Sequence, residues 1–251
     1  MVLGVGPAII GILITVALAM AAVLARALTP LAGATAATFG SVIVVLAGFP
    51  YLSLLVLFVV ASVLATRYGF EEKMARHVQE GVRGERGVSN VLAHIALPTA
   101  LVIVAFAWPA VLSDADLALL FTAAIAFGAA DTFASEFGVL SGGARSILTF
   151  RKVIPGTNGG VSGVGELWAF IGAFVTAIVA LVLFAAFNSP APSAVVLVVG
   201  ATIAGFLACQ VDSVLGETLE NRGYLTKGST NFIAMLASVA MAVPFLLGGS
   251  G

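Results

Sequence analysis

Charged residues are scarce in this sequence. Asp, Glu, Lys and Arg make up only 9% of the 251 residues, 61% are hydrophobic, and the mean hydropathy is +1.15. Soluble globular domains carry about a quarter charged residues, so the composition predicts an integral membrane protein embedded in a lipid bilayer. A formal net charge of −1 and the lack of a basic tail argue against a nucleic-acid partner.

Cysteine and N-terminal positive charge are also nearly absent. Cys209 is the single cysteine, so no intrachain disulfide can form. No Lys or Arg precedes Arg26, so the positive n-region of a cleaved signal peptide is missing. We therefore expect the first apolar run to remain as a spanning helix.

Long apolar runs dominate the chain. A spanning helix needs about 17–25 mostly apolar residues. We expect an all-α, polytopic transmembrane helix bundle with about eight spanning helices, forming one domain over 1–251. The segment 31–66 could instead be a re-entrant pair. The runs fall near 5–25, 31–48, 51–66, 90–112, 117–136, 166–187, 194–212 and 231–248.

The basic residues predict the orientation. With the N-terminus outside, all eleven Lys and Arg residues lie in inner connections, as the positive-inside rule expects. The inner loops 67–89, 131–165 and 212–230 then carry the polar residues. We therefore predict a multi-pass protein of the cell membrane with its site facing the cytoplasm.

Two acidic segments repeat one pattern. Asp131 to Glu136 and Asp212 to Glu217 both have Asp, a hydroxyl residue, two apolar residues, a small residue and Glu, each at the inner end of an apolar run. Carboxylates within a membrane are costly and are paired or face a polar cavity. Because residues five apart point about 140° from each other on a helix, either the helix ends between them or each has its own partner.

The acidic repeat leaves two interpretations open. The four carboxylates could form ion pairs with Lys152 or Lys227. Alternatively, Asp131, Glu136, Asp212 and Glu217 could bind Mg²⁺ bridged to phosphates, since that ion takes one or two carboxylates together with substrate oxygens. We favour the magnesium site, with Asp131, Glu136 and Asp212 in the catalytic set.

A glycine-rich stretch follows the first acidic segment. Glycines let backbone N–H groups approach an anion, and a helix N-terminus favours negative charge. Shorter segments, Gly87 to Asn90 and Lys227 to Asn231, also precede apolar runs, and simple helix capping would explain all three. The Walker A pattern of P-loop nucleotide-binding proteins, G-x-x-x-x-G-K-[ST], is absent. The phosphate-binding candidates here are Lys152, Gly156, Thr157, Asn158, Gly159, Gly160, Ser162, Lys227, Asn231 and Arg145. Lys152 is also a catalytic candidate.

Asn90 and His94 share one helical face near the inner membrane surface. They could be structural, or could contact a phosphate or base. Upstream, Phe70, Met74, Val78 and Val82 recur every fourth residue within 67–89. That spacing favours an amphipathic helix on the inner leaflet, with His77 on its solvated face, over a lid that covers the site.

The polar motifs resemble a known family. The segments 84–94 (GERGVSNVLAH), 130–141 (ADTFASEFGVLS), 152–162 (KVIPGTNGGVS) and 211–220 (VDSVLGETLE) are similar to those of phytyl-phosphate-kinase-like integral membrane proteins, which include transmembrane protein 19 and are related to polyprenol kinases. Phe133 replaces the usual tryptophan of the first motif, and Ala234 replaces an expected asparagine.

The resemblance implies a kinase that converts an isoprenyl monophosphate, such as phytyl or geranylgeranyl phosphate, to the diphosphate. CTP would be the donor, and Arg145 or Arg151 would meet the acceptor phosphate. A cytidylyltransferase that makes a CDP-linked lipid, or a transporter of a small anion or lipid phosphate, remains an alternative. The oligomeric state stays open. No Ser-His-Asp set, CxxC site or D-G-x-x-A-R signature of CDP-alcohol phosphotransferases is present.

Overall fold

The computed structural model describes residues 3–248, and most of these are helical. Eight helices are long and apolar enough to cross a membrane, which confirms the predicted all-α, eight-span architecture. In chain order the elements are α1 Val5–Leu24, α2 Pro30–Ala47, α3 Phe49–Arg67, the short α4 Phe70–Ala75, α5 Val88–Ala107, α6 Asp114–Gly138, β1 Arg145–Ser146, β2 Gly160–Val161, α7 Gly163–Ala186, α8 Ala194–Leu215, a π-helical turn Gly216–Glu220, and α9 Lys227–Gly248.

Local sequence signals explain where several helices begin. Thr29 caps α2 with Pro30 in its first turn, Ser113 and Asp116 form a capping box on α6, and Ser162 caps α7. Between α2 and α3, Gly48 has a φ of 96°, which favours glycine. Both helices have spanning length, so 31–66 forms two full helices and not a re-entrant pair.

Helix α6 lies at the centre of the bundle. It is buried along most of its length and packs against α3, α5, α7, α8 and α9. Glycines allow this close packing: a Cβ on Gly172 of α7 would lie 2.8 Å from the Ala129 carbonyl oxygen, and one on Gly205 of α8 would lie 2.8 Å from the Ala126 carbonyl carbon. By contrast, α1 packs mainly on α2 and leaves most of its apolar surface exposed, as expected for a lipid-facing helix.

The polar connections meet at one end of the bundle. Arg67 donates a hydrogen bond to the Ala25 carbonyl oxygen at 2.6 Å, and Arg76 donates to that of Val139 at 2.8 Å. Asn158 donates to Glu220 at 2.9 Å. The loops after α1, α3, α6 and α8 therefore lie on the same face. That this face is cytoplasmic stays a prediction from the distribution of basic residues.

The segment 67–89 differs from its predicted amphipathic helix. Helix α4 has six residues, Lys73 is 0% exposed, and Met74 and Val82 are 47% and 78% exposed. The predicted apolar stripe is therefore wrong, because a buried carboxylate draws Lys73 inward instead. A left-handed φ angle at His77, just after the C-cap Arg76, then ends the helix, and the chain from His77 onward turns over the polar end of the bundle.

Candidate functional site

A cavity of about 300 Å³ opens at the polar end of the bundle. It lies between α6, α7, α8 and α9, beneath the loop that joins β1 to α7. Residues 77–80 form another wall. Most of the predicted site residues are brought together here: Asp131, Glu136, Gly156, Thr157, Asn158, Gly159, Gly160, Ser162, Asp212, Lys227 and Asn231.

The two aspartates of the repeat both border this cavity. Asp131 of α6 accepts a hydrogen bond from the Asn231 amide of α9 at 3.3 Å. Asp212 of α8 is half-buried, and its buried Oδ1 atom has no hydrogen-bond partner among residues 3–248. A buried carboxylate oxygen without a partner is costly, so its place beside a cavity indicates a ligand.

Glu136 has protein partners for both of its oxygens. Its Oε1 accepts a hydrogen bond from the Thr66 hydroxyl at 2.6 Å, and its Oε2 contacts Lys73 Nζ at 2.7 Å. Helix α6 continues to Gly138, so Asp131 and Glu136 point in different directions, as the 140° spacing requires. Glu136 is therefore an anchor for α4, although it touches the cavity wall.

Glu217 has the same kind of role in the second repeat. It accepts hydrogen bonds from the Ser146 hydroxyl at 2.6 Å and from the Leu148 backbone N–H at 3.3 Å. The described part of the chain contains no group of three or more His, Cys, Asp or Glu side chains arranged to bind a metal. The structure therefore does not bring the four predicted carboxylates together, and of that set Asp131 and Asp212 are the two that border the cavity without being held by a cation or a loop.

The glycine-rich loop is fixed by close contacts on both sides. A Cβ on Gly159, where φ is 79°, would lie 2.4 Å from the Cβ of Glu217. A Cβ on Gly156, where φ is 88°, would lie 2.6 Å from a methyl carbon of Val78. The loop therefore fits between the π-helical turn and the 77–80 segment. Beyond it, Ser162 caps α7 by accepting from the Gly165 N–H at 3.0 Å, which places that helix N-terminus at the cavity.

Lys152 and Arg145 lie outside this cavity. They form an isolated antiparallel bridge with each other, both are exposed, and Arg145 donates to the Phe150 carbonyl oxygen at 3.0 Å. The predicted phosphate clamp by Lys152 is therefore not assembled, because Lys152 lies in this isolated bridge with its side chain exposed. Among the described residues, Lys227 is the only Lys or Arg that borders the cavity. Its Nζ contacts Glu80 Oε2 at 2.9 Å.

Asn90 and His94 also lie outside the main cavity. They border a second cavity of about 60 Å³ between α2, α3 and α5. Asn90 accepts from Arg86 at 3.1 Å and faces Glu80 at 3.5 Å, and the His94 Nδ1 bonds to the Asn90 carbonyl oxygen at 2.9 Å.

Sequence reasoning missed several polar residues that border a cavity or contact a residue that does: Thr66, Lys73, Glu80, Arg86, Glu166 and Gln210. Glu166 borders the main cavity and accepts from the Gln210 amide at 2.8 Å. Burial would raise the pKa of Glu80, but the adjacent Lys227 and Arg86 hold that pKa below its ordinary value. Of these six residues, only Arg86 lies in a motif that the sequence analysis identified, the GERGVSN motif.

The sequence matches the family described as Integral membrane protein DUF92 over residues 13–240. The chain belongs to this family. An uncharacterized membrane protein of Methanocaldococcus jannaschii is 32% identical over 209 residues, covering 81% of this chain and 79% of that protein. Protein PGR of Arabidopsis thaliana is 32% identical and covers 71% of this chain and 67% of its own length.

A third relative is an uncharacterized membrane protein of Synechocystis. It is 33% identical over 199 residues, which are 77% of this chain and 72% of that protein. No solved structure matches the chain. The matched region of the family runs from α1 into α9, so it includes every residue that borders the main cavity.

Proposed function

We propose that this DUF92 protein is a membrane lipid kinase. It would transfer a phosphoryl group from a nucleoside triphosphate, CTP, to an isoprenyl monophosphate such as phytyl or geranylgeranyl phosphate. The observation that carries the proposal is the unpartnered Asp212 oxygen, which borders the same cavity as Asp131 and the glycine-rich loop. The sequence resemblance to phytyl-phosphate-kinase-like proteins supports the choice of donor and acceptor.

The two aspartates fit Mg²⁺ better than the predicted set of four did. That ion usually keeps several waters and binds through one or two carboxylates plus substrate phosphates. Asp131 and Asp212 would hold it, and Asn231 orients Asp131 through its hydrogen bond. When bound, the ion would neutralise charge on the phosphates during transfer. Glu136 and Glu217 would act only by holding the walls of the cavity.

Positive potential for the triphosphate would come from three sources. The N-terminus of α7, next to Ser162, and that of α9, at Lys227, both border the cavity, and helix N-termini favour anions. The Lys227 ammonium adds a full charge. The glycines between Gly156 and Gly160 have no Cβ, which would let phosphates approach the backbone N–H groups closely. This combination of donors and two carboxylates suits a metal-bridged polyphosphate.

The transfer itself would need positioning more than acid–base chemistry. An oxygen of the isoprenyl phosphate would attack the γ-phosphorus of CTP. The bond from that phosphorus to the β–γ bridging oxygen would break, and its electron pair would leave with CDP. The attacking oxygen already carries negative charge, so no base is required. The prenyl tail would lie in lipid between the helices, with the site at the cytoplasmic face of the cell membrane.

The test uses purified full-length protein with Mg²⁺, CTP and phytyl or geranylgeranyl phosphate. We expect prenyl diphosphate and CDP by mass spectrometry. Asp131→Asn and Asp212→Asn should each lower the rate by about 100-fold or more, in line with removing electrostatic stabilisation of the transition state. Glu71→Gln makes the same charge change at an exposed position on the same face and should leave the rate unchanged.

Other products would identify the alternatives. Release of pyrophosphate with a CDP-linked lipid would show a cytidylyltransferase. Flux of lipid phosphate into proteoliposomes without nucleotide turnover would show a transporter. Either result would contradict the kinase proposal. So would the absence of product with any prenyl phosphate, if Asp131→Asn and Asp212→Asn also behave as the wild type in cells.

A further inference from the structure

The hairpin at residues 145–154 lies outside the proposed kinase site. It begins at β1 and leads into the glycine-rich loop, and Arg145 and Lys152 oppose each other across it in the isolated bridge. Its three basic residues, Arg145, Arg151 and Lys152, do not border the main cavity. Their charges are therefore free for a different partner.

The hairpin is attached to the end of a membrane-spanning segment. The Ser146 hydroxyl donates a hydrogen bond to Glu217 at 2.6 Å, and the Leu148 backbone N–H donates to the same carboxylate at 3.3 Å. Glu217 belongs to the apolar span Ala194–Glu220. Because such a span ends where the hydrocarbon core meets the lipid head groups, these bonds hold the hairpin at the depth of the head groups.

The hairpin exposes large apolar side chains. Leu148, Phe150 and Ile154 are 49%, 69% and 79% exposed. Single exposed apolar residues are common on protein surfaces, but several together mark a site that contacts a membrane or another protein. The hairpin therefore has a surface that is suited to contact with an apolar medium.

The backbone of the hairpin fixes Phe150 in its exposed position. The φ angle of Phe150 is 56°, which is unusual and costly for a bulky side chain. Two hydrogen bonds maintain this conformation: the Phe150 N–H donates to the Ser146 carbonyl oxygen at 2.9 Å, and Arg145 Nη1 donates to the Phe150 carbonyl oxygen at 3.0 Å. A costly conformation that keeps an aromatic side chain exposed indicates a functional contact.

The charge of the hairpin indicates that the contact is anionic. Arg145, Arg151 and Lys152 are all exposed, and no acidic residue occurs between Glu136 and Glu166. No described carboxylate lies within ion-pair distance of the three cations. Basic residues beside exposed apolar side chains are typical of surfaces that lie on membranes containing anionic lipids.

Depth, apolar exposure and charge together indicate one partner. We propose that the 145–154 hairpin binds anionic phospholipids of the bilayer around the protein. Phe150 enters the boundary between head groups and hydrocarbon, and Arg151 and Lys152 contact the lipid phosphates. An acidic soluble protein would match the charge, but the attachment of the hairpin to the end of a span favours the bilayer. This surface does not depend on the kinase proposal.

The test places a bimane fluorophore on Phe150→Cys in the full chain, reconstituted in phosphatidylcholine bilayers that contain phosphatidylglycerol. Cys209 is 4% exposed, so the introduced cysteine is the one that reacts. We expect strong quenching by phospholipids with a nitroxide on the upper acyl chain, and weak quenching by iodide in the water. The same fluorophore on Glu71→Cys, an exposed position on the same face, should show the opposite pattern.

A comparison of the two head groups tests the role of charge. Nitroxide-labelled phosphatidylglycerol should quench the fluorophore at position 150 more effectively than labelled phosphatidylcholine. Arg151→Gln and Lys152→Gln should each lower this preference by up to about fivefold, the contribution of one basic residue near an anionic surface. Arg83→Gln is the matched control: it removes an exposed charge outside the hairpin and should leave the preference unchanged.

Two results would overturn the proposal. Strong iodide quenching at position 150 without lipid quenching would show that the hairpin lies in water, where an acidic soluble protein is the better partner. Equal quenching by the two lipids, or a preference that Arg151→Gln and Lys152→Gln both leave unchanged, would show that the basic residues do not bind anionic lipid. Equal thermal midpoints of the variants in detergent will show that the substitutions leave the fold intact.

Discussion

The ion pair between Lys73 and Glu136 should determine both the stability of the bundle and the position of the cavity wall. Lys73 Nζ contacts Glu136 Oε2 at 2.7 Å and donates to the carbonyl oxygens of Ala65 and Thr66 at 2.9 and 3.3 Å. Both side chains are almost completely buried. In Lys73→Met, the Glu136 carboxylate keeps only the Thr66 hydroxyl, so a buried charge loses its counter-charge.

The expected loss is large. Removing one partner of a buried ion pair costs about 3–5 kcal/mol, whereas replacing both charges by neutral groups is often close to neutral. We therefore expect Lys73→Met and Glu136→Gln each to lower the free energy of unfolding by about 3–5 kcal/mol. The double variant should lose much less than the sum. Glu72→Gln is the matched control, because it breaks only the exposed pair with Arg76, which is worth about 0.5 kcal/mol or less.

Two measurements check this expectation. Equilibrium unfolding of the purified protein in mixed micelles with SDS, followed by tryptophan fluorescence, gives the stability differences. Limited trypsin digestion reports on the wall: α4 leads directly into 77–80, so losing its anchor should speed cleavage after Arg76. Lys73→Met with a stability within 1 kcal/mol of the wild type, or a double variant whose loss equals the sum of the single losses, would refute the reasoning.

Three further predictions concern the main cavity. Asp212→Asn should raise the thermal midpoint of the ligand-free protein, because a buried carboxylate oxygen without a partner becomes part of a neutral group; a lower midpoint would contradict this. Gly159→Ala should destabilise the protein more than Gly142→Ala in the same thermal assay, since both glycines have positive φ but only the Cβ at Gly159 would clash; equal losses would argue against the close contact. The pKa of Glu80 is lowered in the folded protein, so its stabilising contribution is present above the ordinary carboxyl pKa of about 4.3 and is lost as the pH falls through the folded pKa. Thermal midpoints from pH 6 to 3 should therefore fall less in Glu80→Gln than in the wild type, and identical curves would exclude a role for the contact with Lys227.

The spanning helices could be predicted because their signal is local. Each apolar run is long enough by itself, and the basic residues mark the connections that share a face. Boundaries shifted by a few residues where polar residues extend a helix: α9 begins at Lys227, so Lys227 and Asn231 lie within its first two turns and not in a loop before it. Hydropathy alone cannot detect such an extension.

The contacts of the polar side chains could not be predicted from the sequence, because they depend on tertiary packing. The apolar residues Phe70, Met74 and Val78, spaced four apart, predicted an amphipathic helix and gave no reason to bury Lys73. Because Glu136 lies under α4, the ion pair outweighs that local preference and buries the lysine. Lys152 failed for a related reason: its place four residues before Gly156 suggested a phosphate clamp, but it lies in the bridge with Arg145, with its side chain exposed.

The repeated acidic motif divides its two carboxylates between ligand and scaffold. On both α6 and the end of α8, the aspartate borders the cavity and the glutamate five residues later points elsewhere, as helix geometry requires. Glu136 holds α4, which leads into residues 77–80, and Glu217 holds Ser146 of β1, which pairs with the end of the glycine-rich loop. In each repeat, therefore, the aspartate is a candidate for binding the metal or substrate, and the glutamate fixes the cavity wall beside it. It follows that substitutions of the aspartates should alter ligand binding with little loss of stability, whereas substitutions of the glutamates should loosen the walls even without ligand.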